Sequence, residues 1–322
     1  MTKPIVLITG DFEIPAPVGR RLSAVFEIRH LRRPASLDHL ASNLTGASYY
    51  ILGGPEYADG FLLDRAPTLK HVVVMGTGTP SFVDESAAAS RGIMVHNTPH
   101  LNCASVAEFA LGMTLLAGAA VFHSSQGVHS GTYWCQALRP GLGSSTIGII
   151  GLGHIGTRLA QNIRSLSAEC QILYWSRRRK PETEASVGAR YAQLTEIFSS
   201  AHQCCICIAY DPVDTHHLIG RELLSHGRGV LRILQFSNPR VVDGHALRRA
   251  LESGEVAFAF MDGYYREWTA NRGVASDQEG LLGLGPDKFI ATSHKAALTI
   301  EATDALLNAA TDHLMRCESQ FG

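Results

Sequence analysis

The sequence has no apolar run approaching the ~20 residues that a membrane-spanning helix needs, so no membrane partner is expected. It has no basic block and no acidic tail, and its formal net charge is -1. Nucleic acid and anionic surfaces are therefore poor partners. The stretch Met1–Thr9 lacks the apolar core of a secretion signal and reads as a first strand, which points to a cytoplasmic protein. No repeat or low-complexity linker interrupts the chain. Paired cysteine spacings are missing too, which excludes a disulfide scaffold. Cys204, Cys205 and Cys207 instead crowd one apolar run. His202 beside them suggests a metal site, but a strand sends adjacent side chains to opposite faces. Reduced thiols filling a buried strand are the better reading. The pair His216-His217 reads as solvated.

What is present fits two domains, since 322 residues suffice for two separate cores. Strands are expected at Ile5–Thr9, Tyr49–Leu52, His71–Met75 and Ile93–His96, with amphipathic stretches Val18–Phe26 and Ser36–Leu44 among them. Strands separated by helices predict a parallel sheet covered on both faces. A long helix over Ser105–Ala120 follows, with Ser105 as its cap and Glu108 three residues on. A second series of strands is expected at Ile147–Ile150, Ile172–Trp175, Cys204–Ala209, Val230–Phe236, Ala257–Met261 and Phe289–Ala291. A last helix spans Ile300–Cys317 and returns to the first domain. The fold class is therefore α/β: two Rossmann-like, doubly wound parallel-sheet domains, the first discontinuous. Their expected extents are residues 1–100 plus 293–322, and residues 101–292.

The second series opens on Ser145-Thr146-Ile147-Gly148-Ile149-Ile150-Gly151-Leu152-Gly153-His154-Ile155-Gly156. An apolar strand ends in G-x-G-x-x-G and passes into a helical pattern at Leu159, Ala160 and Ile163. Gly151 permits the turn, Gly153 lets the backbone approach a pyrophosphate, and Gly156 lets helix and strand pack closely. The helix N-terminus, with His154 and Ile155, offers free N–H groups to the phosphates. This is a dinucleotide-binding signature.

With these pieces in place, the chain resembles the D-isomer-specific 2-hydroxyacid dehydrogenase family over nearly its whole length. Leu69-Lys70-His71 leads into Gly76-Thr77-Gly78, the loop that in the family closes over substrate. Asn97-Thr98-Pro99, Asn102 and Ser105-Val106-Ala107-Glu108 match the start of the interdomain helix, Val106 lying beside the cofactor. Trp134, Gly151–Gly156, Val241-Val242-Asp243, Ala246-Leu247 and Glu252-Ser253-Gly254 follow in order. Met261-Asp262 matches the aspartate that holds the nicotinamide amide, and Thr292-Ser293-His294-Lys295-Ala296 the catalytic histidine motif. The resemblance implies a flavodoxin-like substrate domain, a nicotinamide-binding domain, a small-molecule substrate and a homodimer, for which the apolar helix near Phe109–Phe122 is suited.

The cofactor can be narrowed. The second strand of the dinucleotide domain ends in Ser176-Arg177-Arg178-Arg179-Lys180, where NAD enzymes carry an acid for the ribose hydroxyls. A carboxylate would repel a 2′-phosphate, whereas a hydroxyl and guanidinium groups bind one. NADPH is therefore favoured over NAD, with Ser176, Arg177 and Arg178 on the phosphate and Arg179 and Lys180 as a solvated turn.

The family's catalysis rests on a histidine that protonates the carbonyl oxygen, a glutamate that keeps it charged, and an arginine that grips the substrate carboxylate. His294 occupies the first position. The arginine motif aligns with Gln235-Phe236-Ser237-Asn238-Pro239, which puts Asn238 in place of arginine, and Tyr265 stands where the glutamate belongs. Asn238 carries no charge to offset a desolvated carboxylate. Tyr265 supplies none to raise a histidine pKa. Arg240 could replace the arginine or be a surface residue; Arg266 or Glu267, near Trp268, could restore a charge; Tyr265 with Lys295 could form a proton-donating pair. Ile208-Ala209-Tyr210 also departs from the family's His-x-Pro. The expectation is an NADPH-dependent reductase of a carbonyl, or alternatively an imine, that is not a simple small 2-oxo acid. The alternative is a catalytically impaired nucleotide sensor or scaffold, similar in fold to the C-terminal-binding corepressors.

Overall fold

A computed structural model describes residues 2–32, 36–132, 138–265 and 277–321. The chain divides into two compact units: Met1–Asn102 with Leu298–Gly322, and Cys103–Tyr265 with Asp277–Ala297.

The first unit runs β1 (Ile5–Thr9), α1 (Ala16–Val25), β2 (Glu27–Leu31), α2 (Leu37–Leu44), β3 (Ala47–Leu52), α3 (Gly60–Leu63), β4 (His71–Val74), α4 (Glu85–Ser90) and β5 (Met94–Asn97). Its five strands lie in the order β2-β1-β3-β4-β5, and every pairing is parallel. Because strand side chains alternate, each sheet face collects its own core. One gathers Leu7, Tyr50, Leu52, Val72 and Val74; the other gathers Val6, Ile8, Tyr49, Ile51 and Val73.

The second unit continues with α5 (Cys103–Gly118), α6 (Val121–His129), β6 (Thr146–Ile150), α7 (His154–Leu166), β7 (Gln171–Trp175) and α8 (Pro181–Val187). Then come β8 (Arg190–Tyr191), α9 (Leu194–Ser200), β9 (Gln203–Ile206), α10 (Arg221–Leu224), β10 (Leu231–Gln235), α11 (Gly244–Ser253), β11 (Val256–Asp262) and β12 (Phe289–Thr292). Strand order is β12-β11-β10-β9-β6-β7-β8, again all parallel. The order reverses between β6 and β9, which makes the end of β6 a topological switch point. The last helix, α12 (Ile300–Phe321), belongs to the first unit, where Leu307, Ala310, Leu314 and Cys317 join the core of Val6, Ile8 and Val73.

The cysteine strand behaves as its pattern predicts. Cys204, Ile206 and Ile208 face one core, while Cys205 and Cys207 face the other, and all described cysteines are free. His202 Nδ1 accepts the backbone N–H of Thr146 at 3.0 Å. His216 and His217 are exposed and stack on each other.

Three expectations need correction. Helix α5 starts at Cys103, so Ser105 lies inside its first turn and is not a cap. It also ends at Gly118, because Ala120 takes a left-handed φ of 54° and α6 sets off in a new direction. Strands β2 and β8 were not expected: β2 is nowhere fully buried and β8 has two residues, so neither carries a period-two signal. Among the described residues no single helix is long and apolar enough to cross a membrane. The bent pair α5–α6 meets that test only on length and composition, and one face of α5 is buried in the protein core.

Candidate functional site

In the second unit the candidate residues collect at the carboxyl ends of parallel strands, where open α/β sheets bind their ligands. The end of β6 carries the glycine loop. Gly151 sits at φ 101°, and a Cβ there would lie 2.6 Å from the backbone of Ile208. A Cβ on Gly156 would lie 2.1 Å from the Gly151 carbonyl oxygen, so helix α7 can rest on the turn only with glycine. Gly153, the residue before α7, would meet nothing within 4 Å, so its backbone stays open to an incoming group. No side chain caps the first turn of α7. A helix N-terminus favours an anion, and the residues present fit a dinucleotide pyrophosphate. His154 is exposed at the start of α7. Ile155 packs against the core that holds Val106, Leu152 and Ala296.

The end of β7 lies beside this loop. Ser176 is buried, and its Oγ accepts the N–H of Leu152 at 3.1 Å. It therefore braces the glycine loop, a role that sequence reasoning missed. Arg177 is exposed and pairs with Asp214 at 3.1 Å, while Arg179 pairs with Glu184. Arg179 with its neighbours holds the Glu184 carboxyl down at about 2. Arg179 and Lys180 are both exposed, as expected of a solvated turn, and Arg179 carries its ion pair there. Neither Arg178 nor Lys180 joins an ion pair among the described residues, and both are exposed.

At the end of β10 the backbone turns sharply. Gln235 is fully buried; its Nε2 donates to the Asn238 carbonyl at 2.5 Å, and its Oε1 accepts from Ser237 N–H. Asn238 is buried, and its Oδ1 accepts the Arg240 N–H at 2.9 Å. Arg240 itself is exposed, and its charge helps lower the pKa of His216, after burial of that ring. This is the surface placement.

The ends of β11 and β12 form a single unit. Asp262 is buried and accepts three hydrogen bonds: Thr292 Oγ1 at 2.6 Å, Lys295 N–H at 2.6 Å and Ala296 N–H at 2.9 Å. The turn so held contains His294, half-buried and at a left-handed φ of 55°. A non-glycine residue there costs on the order of 1 kcal/mol and persists only where its surroundings enforce it. Asp262 supplies that enforcement.

Tyr265 lies deeper than expected. Only 5 % of it is exposed, its hydroxyl donates to the Val242 carbonyl at 2.8 Å, and burial pushes its phenol well above the ordinary value. A buried phenol bonded to a backbone carbonyl is a poor acid, so the proton-donating pair with Lys295 is set aside. Tyr264 donates to Asp277. Arg266, Glu267, Trp268 and Trp134 lie outside the described residues.

Gly76, Thr77 and Gly78 follow β4 in the first unit. The Gly76 N–H donates to Thr98 Oγ1 at 3.1 Å, and the Thr77 carbonyl accepts from Asn97 Nδ2 at 2.7 Å. Thr77 and Gly78 are exposed.

A glycine cradle at the switch point of a seven-stranded 3-2-1-4-5-6-7 sheet, with a buried aspartate clamping a histidine turn, defines a nicotinamide-dinucleotide oxidoreductase. The family model for the D-isomer specific 2-hydroxyacid dehydrogenase, NAD binding domain, matches residues 111–296, and the chain belongs to that family. Its members are NAD(P)-dependent oxidoreductases acting on a CH–OH/C=O pair. A glyoxylate/hydroxypyruvate reductase B from Klebsiella pneumoniae is 27% identical over 320 residues, covering 97% of this chain and 94% of the relative. The D-lactate dehydrogenase of Aquifex aeolicus, solved with NAD and lactic acid, has a TM-score of 0.80 at 20% identity, covering 98% and 96% of the two chains. The pyruvate reductase of Chlamydomonas reinhardtii has a TM-score of 0.76 at 21% identity, covering 97% and 95%. The likeness to the two solved structures is one of fold.

Proposed function

We propose that this oxidoreductase uses NADPH to reduce a neutral or weakly charged carbonyl compound, or an imine, rather than a simple small 2-oxo acid. The observation that carries the reading is Asn238, buried and uncharged at the position resembling the family's arginine. Hydrogen bonds to charged groups are typically worth about 1.5–3 kcal/mol against roughly 1 for neutral ones. Asn238 therefore compensates a desolvated carboxylate poorly and a neutral oxygen adequately. The Gly151–Gly156 loop would hold the cofactor's pyrophosphate, and the bound cofactor would supply the hydride for the electrophilic carbon. His294, set by the Asp262 clamp, gives its proton to the oxygen. Asn238 orients that oxygen by a neutral hydrogen bond, Thr77 and Gly78 contribute to substrate binding, and Tyr265 supports the wall from within the core.

Basic residues at the end of β7, where an acid would select NAD, support the phosphorylated cofactor. The exposed Leu115, Leu116, Val121 and Val128 of α5 and α6 support a homodimer, which light scattering tests. The functional reading is tested by NADPH oxidation across a panel of aldehydes, ketones and imines set beside glyoxylate, pyruvate and hydroxypyruvate. Turnover confined to neutral substrates is expected. Rapid turnover of the three acids overturns the substrate assignment.

A further inference from the structure

A histidine cluster in the first unit lies outside everything described so far. His71 on β4 and His96 on β5 belong to adjacent parallel strands, where His71 pairs with Met94 and Val73 with His96. Side chains two residues apart share a face, so His71 and His96 project from the same side of the sheet. Their facing nitrogens, His71 Nδ1 and His96 Nε2, are 3.2 Å apart. Helix α12 covers this face and presents His313 and Cys317, one helical turn apart. The His313 ring lies 3.9 Å from that of His96, centroid to centroid, and its Nε2 is buried with no hydrogen-bond partner. Ligand atoms of His71, His96 and Cys317 all fall within 4.8 Å of one another.

We infer that these side chains form a metal site, in which His71, His96 and Cys317 hold one zinc ion, His313, which lies outside that 4.8 Å set, turns in as the fourth ligand, and the C-terminal helix is fastened to the sheet. A tetrahedral ion with Zn–N near 2.0–2.1 Å and Zn–S near 2.3 Å spaces its ligand atoms roughly 3.3–3.6 Å apart. The His71–His96 separation already lies close to this, and rotation of flexible side chains closes the remainder. Three imidazoles and one thiolate suit a borderline-soft divalent ion and do not suit magnesium or calcium. Four protein ligands close the sphere, as in structural sites. Around it, Tyr49 stacks on His71 and donates its hydroxyl to Glu318, which brings a carboxylate beside the cationic centre. An apolar helix–sheet seam has no need of three imidazoles, and the orphaned His313 nitrogen is the group an ion would satisfy.

The test uses untagged full-length protein, stripped with a chelator and titrated with Zn2+ and with Co2+. One ion per chain is expected, with a thiolate-to-cobalt charge-transfer band and a higher thermal midpoint in zinc. C317S should abolish the charge-transfer band, and H96Q should weaken zinc affinity at least tenfold. Nucleotide binding in the second unit should persist in both variants and report that they are folded. Absence of stoichiometric binding to the wild type, or binding that C317S and H96Q leave unchanged, overturns the assignment.

Discussion

Asp262 holds Lys295 by its main chain: the carboxylate accepts the Lys295 N–H at 2.6 Å, fixing the residue next to His294. The aspartate that the family resemblance assigns to the nicotinamide amide thus also shapes the turn carrying His294, the proposed proton donor. The two duties separate in D262N, which keeps an acceptor oxygen but sets an NH2 group against an N–H donor. Each charge-assisted bond lost costs about 1.5–3 kcal/mol, which corresponds to roughly a ten- to hundredfold fall in rate. The expected result is a fall in kcat well beyond any loss of NADPH affinity. Equal losses in both would leave Asp262 with the nucleotide role alone.

Two glycines of the same loop should respond differently to alanine. At Gly153 the added methyl meets nothing within 4 Å and φ is an ordinary −83°. G153A should therefore fold with an unchanged midpoint and weaken nucleotide binding by crowding the pyrophosphate. At Gly156 the methyl would lie 2.1 Å from the Gly151 oxygen. Overpacking of this kind costs about 1–3 kcal/mol, so G156A should lower the thermal midpoint before any ligand is added. Calorimetry with and without NADPH distinguishes them.

The glycine loop could be read from the sequence because its requirements are local, set within six residues by a turn and a close packing. The Asp262 clamp could not, since it joins residues 33 apart and needs the register of β11 and β12. The same holds for His71, His96 and Cys317, which meet only once β4 and β5 pair and α12 crosses them. Asn238 and Tyr265 were singled out by what they replace, yet the structure gives both backbone partners, Arg240 N–H and Val242 carbonyl. Position in a motif says nothing of where a hydroxyl or amide turns. Sequence spacing also missed Ser176 as a brace, because its partner Leu152 lies on a neighbouring strand end.

Phosphate selection should rest more on Arg178 than on Arg177. Arg177 is paired with Asp214 at an exposed position, and such pairs are worth about 0–1 kcal/mol. It can exchange that partner for a 2′-phosphate at small cost, but it begins engaged. R178A should weaken NADPH roughly tenfold and leave NADH unchanged, as expected for one lost charge-assisted contact. R177A should do the same to a smaller degree, and D214N should strengthen NADPH binding. Fluorescence titration of both cofactors reads all three; an equal loss of NADH would remove the phosphate from the explanation.

Stability should depend on pH through Glu56. It is buried, with Thr9 and Tyr50 donating to its Oε1, and desolvation raises its carboxyl above 4.5 despite those bonds. A folded pKa above the unfolded one means the contribution is complete below 4.5 and is lost as pH rises through the folded value. E56Q keeps the accepting oxygen and removes the ionisation. The variant should be more stable than the wild type at neutral pH, with the advantage shrinking toward acid. Denaturant midpoints across that range measure it, and a constant difference would mean that Glu56 does not titrate on folding.

Tyr265 and His294 provide the sharpest contrast between holding a fold and moving a proton. Y265F removes the hydroxyl that satisfies the buried Val242 carbonyl, at a cost of about 1–3 kcal/mol for an unpaired acceptor. Its thermal midpoint should fall, while kcat per folded molecule stays within about twofold, because a structural hydrogen bond contributes little to the chemical step. H294A should reverse the pattern. The ring is half-buried on a strained turn, so its removal costs little stability, yet turnover should fall by roughly 100-fold or more, the usual contribution of a positioned general acid. Equal rate losses in the two variants would return Tyr265 to the proton path, because a residue that only fills the core cannot mimic the loss of an acid.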